Sequence, residues 1–310
     1  MPIFSDYGNI PDISSRLSIP SLVFSIVTPL VVLARCITRA TYSNQLGQDD
    51  WTIIASLIFA EVICIQMIIC CEWGFGKHTW QIPETVVDKT LELYFFAQIL
   101  YKINIGFTKV SILLFYLRIF SIYRWFNTLC WTIVGIVIAF TVATVFSSIF
   151  QCRPVEYAFY KKANGGHGTC IDLTAFWFAN AAFNIGSDLV IIVIPTFVVR
   201  TLQLPRRSKI ALCGVFALGG FVCVTSILRI TTLNLATSHT DTMWQSINSS
   251  MWTIIESNLG IICASMPALK RPLSALFPWL FTTVGSQGHM EEDVKERCTQ
   301  RVAKNTGLMV

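Results

Sequence analysis

The chain has 310 residues, of which 54% are hydrophobic and only 13% are charged. Seven apolar stretches of membrane-spanning length, separated by short polar segments, exclude a pair of soluble domains and predict one polytopic membrane protein. The net charge of +5 does not indicate nucleic-acid binding, because basic residues beside anionic lipid headgroups account for it. The lipid bilayer is therefore the first expected partner.

The predicted elements are helices, because a chain in lipid must satisfy its own backbone polar groups. Residues 1–16 are expected to form a short outer segment, and they lack the basic start of a cleaved signal peptide. Seven transmembrane helices are predicted at residues 17–34, 51–71, 91–117, 128–150, 173–199, 210–231 and 248–269. The fold class is therefore an all-α seven-helix bundle, residues 17–280, followed by a polar cytoplasmic tail at 281–310.

The distribution of Lys and Arg predicts the orientation of the bundle. The segments around residues 35–50, 118–127 and 200–209 and the tail from residue 270 together contain 14 of them, whereas the segments on the other side contain 6. Positive residues concentrate on the cytoplasmic side of membrane proteins. The N terminus is therefore expected outside and the C terminus in the cytoplasm, with the plasma membrane favoured and an internal membrane as the alternative.

Two cysteines fall in the predicted outer loop after the fourth helix. Cys152 and Cys170 would face an oxidising compartment there, where a disulfide can form and close a short loop. The alternatives are two free thiols, or competition from Cys71 at the outer end of the second helix. We favour the Cys152–Cys170 bridge.

Ionisable residues within the predicted helices are candidate functional groups, because each is costly in hydrocarbon and usually faces a partner or a watery cavity. The candidates, with one polar companion, are Glu61, Lys102, Lys109, Asp188, Arg229, Glu256 and Asn184. Lys102 and Lys109 are seven residues apart, so they are expected to share an inward face of the third helix. Opposite charges are expected to meet at each level of the bundle. Structural ion pairs and a ligand pocket or ion path are both open interpretations.

Short motifs follow one another along nearly the whole chain. They are Asp49-Asp50-Trp51, Gly74-Phe75-Gly76-Lys77-His78, Lys109 with Tyr116-Leu117-Arg118-Ile119-Phe120, Cys152-Arg153-Pro154 with Gly168-Thr169-Cys170-Ile171-Asp172, Asn184 with Asp188 and Pro195, Arg229, and Trp252 with Glu256 and Pro267. In this order they resemble the fungal rhodopsin-like integral membrane proteins, a family with receptor-like members. The resemblance implies a seven-helix fold, here without the cysteine-rich outer domain that some receptor-like members carry, since the first cysteine is Cys36.

Three function classes remain. The favoured class is a receptor-like sensor of a small extracellular or lipid-phase ligand, and retinal is not expected because residues 248–269 contain no lysine for a Schiff base. The cationic residues expected to face a cytoplasmic signalling protein, or lipid headgroups, are Arg118, Arg200, Arg206, Arg207 and Lys209.

The alternatives are a carrier or other membrane component of a secondary-metabolite pathway, and a membrane-embedded enzyme. A carrier would use buried acids and bases to relay protons or hold a charged substrate. An enzyme is disfavoured because the chain has no His-Glu-x-x-His run, no aspartate-rich pair and no Gly-x-Ser-x-Gly elbow. No catalytic residue, cofactor or metal site is predicted.

Overall fold

A computed structural model describes residues 12–43, 47–120, 124–160, 167–201, 220 and 241–276. Six helices account for most of these residues. They are α1 (Ser15–Ser43), α2 (Gln48–Glu72), α3 (Glu84–Ile119), α4 (Arg124–Ile149), α5 (Leu173–Thr201) and α6 (Thr242–Leu276). Two short strands, β1 (Cys152–Arg153) and β2 (Thr169–Cys170), pair antiparallel between α4 and α5. The all-α fold class is confirmed for the described part of the chain.

Five of the described helices, α1 to α5, are long and apolar enough to cross a membrane. α6 covers the predicted seventh span at 248–269. The predicted sixth span, 210–231, lies outside the described residues except at residue 220, and so does the predicted tail at 281–310. The described helices are therefore those of a multi-pass membrane protein. The count of seven helices stays a prediction.

The helices are longer than the apolar stretches that predicted them. α1 continues past residue 34 to Ser43, and α3 begins at Glu84, a full turn and more before residue 91. The prediction that Arg35 and Arg39 belong to a loop is therefore wrong, because both lie within α1. A helix does not have to end where its apolar stretch ends, since polar side chains extend it when they find partners at the end of the bundle.

α3 occupies the centre of the bundle and packs against α2, α4 and α5. An apolar cluster that includes Leu113, Phe126 and Val137 joins α3 to α4 and α5. A second cluster that includes Val32, Ile53 and Ile261 joins α1 to α2 and α6. The central position of α3 matters for function, because both polar sites described below include residues of this helix.

The outward face of α1 is apolar, whereas the outward faces of helices in a soluble bundle are polar. Six large apolar side chains at alternating spacings of four and three residues are each about half exposed. They are Ile19, Val23, Ile26, Leu30, Leu33 and Ile37. This spacing places them on one side of a helix, so α1 presents a continuous apolar stripe to lipid.

Gly106 allows α3 and α4 to approach closely. A Cβ atom at Gly106 would lie 2.7 Å from Oγ1 of Thr141 on α4, whereas a Cβ at Gly135 on α4 would meet nothing within 4 Å. The two glycines therefore have different roles, since only the first is required by packing.

We expect Gly106→Ala to lower the unfolding temperature of the detergent-solubilised protein, because overpacking costs about 1–3 kcal/mol. Gly135→Ala is the matched control, and it should leave the temperature unchanged or raise it slightly, since alanine favours the helix. Size-exclusion chromatography after heating measures both. Equal effects of the two substitutions would contradict the close approach at Gly106.

Candidate functional site

Lys109 and Asp188 form an ion pair between α3 and α5. Nζ of Lys109 lies 3.1 Å from Oδ1 of Asp188. The same ammonium donates hydrogen bonds of 2.6 Å to Oδ1 of Asn184 and 2.6 Å to Oγ of Ser187. Both charged side chains are largely withdrawn from the surface. The oxygens of three residues of α5 thus replace the water that the buried ammonium would otherwise bind.

Asn184 extends this contact to α6. Its amide Nδ2 donates to Oε1 of Glu256, while the hydroxyl of Tyr101 donates a 2.8 Å hydrogen bond to Oε2 of the same carboxylate. Glu256 and Tyr101 are both buried. We call the five connected residues Asp188, Lys109, Asn184, Glu256 and Tyr101 the central network. It joins α3, α5 and α6 within the apolar part of the bundle.

The other predicted intramembrane charges lie apart from the central network in the described contacts. Lys102 donates to Oγ of Ser148 on α4, and its Nζ lies 4.7 Å from the centre of the Phe176 ring. Glu61 lies on α2, and within the described part of the chain its buried Oε1 accepts no hydrogen bond. Arg229 lies outside the described residues. The structure therefore brings together four of the seven predicted polar residues.

A second polar site surrounds Arg35, which is fully buried near the end of α1. Its guanidinium lies 2.7 Å from Oδ2 of Asp49 and 2.8 Å from Oδ1 of Asp50. A third hydrogen bond of 2.6 Å goes to the backbone carbonyl of Ala264. One side chain thus connects α1 to the first turn of α2 and to α6 with charge-assisted hydrogen bonds.

Two further arginines contact the same carboxylates. Arg39 lies one turn after Arg35, with its guanidinium 3.4 Å from Asp49. Arg118, in the last turn of α3, lies 3.1 Å from Asp49 and 3.7 Å from Asp50. Carboxylates at a helix start and a cation at a helix end also complement the helix dipoles. We call Arg35, Arg39, Arg118, Asp49 and Asp50 the arginine cluster, and the end of the bundle that contains it the arginine end.

Reasoning from sequence did not identify the arginine cluster, although a signal for it exists. Asp49 and Asp50 begin a helix, and Gly47 N donates a 3.0 Å hydrogen bond to Oδ2 of Asp50. Arg35 and Arg39 are four residues apart on the preceding helix, so they share a face. Two adjacent acids across a short turn from two bases on one helix face form a pattern that predicts ion pairing.

The predicted cytoplasmic contact residues are only partly described. Arg118 belongs to the arginine cluster and keeps 32% of its side chain exposed. The other four residues lie outside the described side chains. They are Arg200, Arg206, Arg207 and Lys209.

The predicted disulfide between Cys152 and Cys170 is present. It joins the paired strands β1 and β2 at the opposite end of the bundle, which we call the disulfide end. The same loop contacts α3, because the hydroxyl of Tyr160 donates a 2.9 Å hydrogen bond to Glu92 and the ring of Phe159 packs 5.5 Å from that of Phe95. Cys71, the possible competitor, is a buried free thiol. The loop is thus attached both covalently and by side-chain contacts.

The segment between α2 and α3 also belongs to the disulfide end. Gly74 and Gly76 adopt positive φ angles of 99° and 108°, which side-chain-bearing residues rarely adopt. The turn between them buries Phe75 completely beside Tyr94. Lys77 is buried as well, with its Nζ 3.7 Å from the carboxylate of Asp12. This explains the Gly-Phe-Gly-Lys motif as a fixed turn that closes this end.

His78 connects that turn to the start of α6. Its Nδ1 lies 2.6 Å from Oδ2 of Asp241. The backbone and hydroxyl of Thr79 both donate to Oδ1 of the same carboxylate. The imidazole stacks between the rings of Trp80 and Trp244, with centroids 4.5 Å and 4.3 Å away. His78 therefore connects the turn to α6 by its contact with Asp241 and packs between two tryptophan rings.

Burial alone would raise the pKa of the Asp241 carboxyl, but hydrogen bonds from Thr79 and His78 outweigh it and lower that pKa from its ordinary value of 3.8. A lowered carboxyl pKa means that the folded state prefers the ionised form. The contact between the start of α6 and the segment that contains His78 and Thr79 therefore depends on an ionised Asp241 carboxylate.

The described residues contain no group of three or more His, Cys, Asp or Glu side chains placed to hold a metal ion. The two polar sites instead consist of cations matched to carboxylates, amides and hydroxyls. Chemically, these groups can exchange hydrogen-bond and ion-pair partners between helices.

Residues 34–275 match the family model of the fungal rhodopsin domain. The chain belongs to this family. The match covers α2 to α5 completely, the last third of α1 and nearly all of α6, so both polar sites lie within the fungal rhodopsin domain.

Three relatives illustrate the range of this family. The chain is 25% identical to Receptor GIN3 of Arthrobotrys oligospora, over 92% of this chain and 68% of that protein. It is 31% identical to a SAT4 family membrane protein of Emericella nidulans, over 63% of this chain and 49% of that protein. It is 24% identical to the polyenoic acids biosynthesis gene cluster protein Ba17b of Metarhizium anisopliae, over 93% of this chain and 82% of that protein. The chain thus spans about two thirds of the GIN3 receptor and about half of the SAT4 protein.

In this fungal rhodopsin domain we expect Lys109→Met to lower thermal stability strongly, because it leaves Asp188 as an uncompensated buried charge at a cost of about 3–5 kcal/mol. Asp188→Asn alone should have a similar effect. The double variant should recover part of the loss, since it removes both charges. Thermal unfolding in detergent measures the three variants.

Ser187→Ala is the matched control for this cycle. It removes one hydrogen bond to the same ammonium and should cost only about 1 kcal/mol. If the double variant loses as much stability as the two single losses added together, the ion pair is not the interaction that matters.

Asp241→Asn tests the contact at the disulfide end. A carboxyl with a lowered folded pKa adds stability above its unfolded pKa and loses that contribution as pH falls through the folded value. The wild type should therefore be more stable than Asp241→Asn at neutral pH, and the difference should shrink below about pH 4. Thermal unfolding across pH measures it. A difference that does not depend on pH would contradict a stabilising ionised Asp241.

Proposed function

We propose that this chain is a receptor-like membrane sensor of a small extracellular or lipid-phase ligand, and that it does not bind retinal. The proposed fold is a seven-helix bundle with its N terminus outside and its C terminus in the cytoplasm, in the plasma membrane. The observation that carries the proposal is the central network, which connects three helices through exchangeable polar contacts. The resemblance to a protein named a receptor supports the same direction.

The proposed orientation draws support from chemistry at the two ends. Disulfides persist in oxidising compartments, and the Cys152–Cys170 bridge lies at one end of the bundle. The arginine cluster lies at the other end, where α1 and α3 finish. An outer disulfide end and a cytoplasmic arginine end agree with the excess of basic residues on the second side.

The proposed signal path runs along α3 and α6. α3 carries Lys109 of the central network and Arg118 of the arginine cluster, nine residues or about 13 Å apart along the helix. α6 carries Glu256 and, eight residues later, Ala264. The backbone carbonyl of Ala264 accepts a hydrogen bond from Arg35. A ligand that replaced a partner of Glu256 would shift these helices relative to α5. Such a shift would change the contacts of the arginine cluster, where a cytoplasmic signalling protein would bind.

Tyr101→Phe tests the proposed role of the central network. The substitution removes one buried hydrogen bond to Glu256 and retains the ring, so we expect a loss of about 1 kcal/mol of stability together with loss of the sensing phenotype. Thr28→Val is the matched control, because it removes the 2.9 Å hydrogen bond between α1 and Asn258 on α6, outside the network. The measurement is complementation of a deletion strain, with folded protein quantified in parallel.

A result in which both variants restore the phenotype equally, at equal protein level, would contradict a sensing role for the central network. If Tyr101→Phe lowers the folded amount much more than Thr28→Val, the phenotype is uninformative by itself. Comparison at matched protein level then decides between a structural and a sensing role.

A second candidate is a membrane component or carrier of a secondary-metabolite pathway. It is favoured by relatives whose names place them in biosynthetic gene clusters, such as those of polyenoic acids and satratoxin. Metabolites inside and outside the same deletion strain distinguish the candidates. A single compound trapped inside, or one accumulated intermediate, would favour the carrier or pathway component, whereas broad changes without such a compound would favour the sensor.

A further inference from the structure

Glu61 is an acidic residue near the middle of α2. Thirteen residues of the helix precede it and eleven follow it, so it lies about 17–20 Å from either helix end. The hydrocarbon core of a bilayer is about 30 Å thick, which places Glu61 close to the centre of that core. Neither the central network nor the arginine cluster includes this residue.

Glu61 is partly exposed and belongs to the outward face of α2. Ile58 and Ile65, one turn before and one turn after it, are 58% and 53% exposed, and residues at these spacings share one side of a helix. The near neighbours Ala60 and Ile63 are buried in the apolar clusters of the bundle. Glu61 thus interrupts an apolar surface that faces lipid.

The carboxyl of Glu61 has no hydrogen bond and no ion pair within the described part of the chain, although its Oε1 is buried. An unsatisfied polar group is costly in hydrocarbon. Only long lysine and arginine side chains near helix ends can extend to the membrane interface. Glu61 therefore requires a hydrogen-bond partner at its own depth in the membrane.

A carboxyl group is complementary to itself when it is neutral. It then has one O–H donor and a free acceptor oxygen, so two such groups can satisfy each other with two hydrogen bonds. Two ionised carboxylates would instead repel each other, and ionised groups are the costly ones in hydrocarbon. The chemistry of Glu61 therefore fits a second neutral carboxyl.

Insertion into a membrane brings equivalent residues of two copies to the same depth. Copies with the same orientation can be related by a two-fold axis perpendicular to the membrane plane, and a two-fold interface joins the same surface patch of both copies. Glu61 of one copy then meets Glu61 of the second copy without any further adjustment of depth. An unrelated membrane protein would need its own polar group at a matching depth.

We propose that the face of α2 formed by Ile58, Glu61, Val62 and Ile65 is the interface of a homodimer in the membrane, in which two neutral Glu61 carboxyls exchange hydrogen bonds. Packing of side chains and hydrogen bonds between helices are the forces that associate helices in lipid. The proposal goes beyond ligand sensing and does not depend on which end of the bundle is cytoplasmic, because the two copies need only share one orientation.

The test measures association of the full chain in liposomes, by energy transfer between donor-labelled and acceptor-labelled copies as the protein is diluted into lipid. We expect Glu61→Leu to weaken association roughly tenfold, because the pair of interhelical hydrogen bonds is lost. Glu61→Gln retains a donor and an acceptor and should associate within about twofold of the wild type. Glu61→Leu should fold, since it gives an apolar side chain to a surface that faces lipid.

Gln66→Leu is the matched control. Gln66 is a second polar residue of α2, and its buried Oε1 also accepts no hydrogen bond in the described part of the chain. It lies five residues after Glu61, which is about 140° around the helix, so it does not share the proposed interface. Its substitution should leave association unchanged.

Cysteine crosslinking provides a second measurement that locates the interface. Oxidation of Ile65→Cys in liposomes should give a disulfide-linked dimer beyond the background of the wild type. Ile136 on α4 is exposed to the same extent, at 52%, but lies on a different helix. Oxidation of Ile136→Cys should therefore give no more dimer than the wild type.

A wild type that stays monomeric at every protein-to-lipid ratio would overturn the proposal. Equal association of Glu61→Leu and the wild type would exclude Glu61 from the interface, and equal losses in Glu61→Leu and Glu61→Gln would exclude the hydrogen-bonded pair. Stronger crosslinking of Ile136→Cys than of Ile65→Cys would place the interface on another face.

Two further results would assign a different occupant to this face. A monomeric wild type that retains a small molecule in native mass spectrometry, where Glu61→Leu does not, would identify a ligand from the lipid phase. Losses of thermal stability in Glu61→Leu and Arg229→Gln that do not add in the double variant would identify Arg229 of the same chain as the partner. None of these results bears on the sensing phenotype of Tyr101→Phe.

Discussion

Arg35 is a fully buried cation, and the positions of three helices follow from how its charge is compensated. An isolated guanidinium in the apolar interior would be very costly, so its hydrogen-bond donors must find acceptors within the protein. Asp49, Asp50 and the carbonyl of Ala264 provide them from α2 and α6. These contacts fix the end of α1 against the beginning of α2, and they fix α6 at a defined height beside both. Removing one partner of a pair would leave a buried uncompensated charge. This costs more free energy than replacing both partners by apolar residues.

The two polar sites are joined by more than their common helices. Ser111 on α3 donates a 2.7 Å hydrogen bond to the backbone carbonyl of Asp49, and Lys109 of the central network lies two residues earlier on the same helix. Ser56 and Thr108 add a 2.6 Å contact between α2 and α3 at a neighbouring level. A displacement of α3 at Lys109 would therefore act directly on the backbone that holds the carboxylates of Asp49 and Asp50. This continuous physical connection supports the proposed coupling between the sites.

Sequence predicted the all-α fold class, the disulfide and four of the five residues of the central network, all but Tyr101, because these depend on strong local signals. A charge in an apolar stretch must face inward, and two cysteines in one outer loop have few alternatives. The arginine cluster was not predicted because Arg35 and Arg39 follow an apolar stretch that ends at residue 34, so they were assigned to a loop. The partners of Lys102 were also beyond prediction, since Ser148 and Phe176 become neighbours only through the packing of α3 with α4 and α5.

The two ends of the bundle are built by different kinds of interaction, and this difference determines where motion is possible. At the disulfide end, a covalent bridge, a turn with two positive φ angles and the stacked rings around His78 each have one arrangement. At the arginine end, Asp49 is within 3.4 Å of three different arginines. Arg39 and Arg118 are less buried than Arg35, and each lies within 3.9 Å of both carboxylates, so either can leave one carboxylate for the other. A change that begins at the central network would meet the least resistance towards the arginine end, because Arg39 and Arg118 can exchange carboxylates there while Arg35 keeps its pairs.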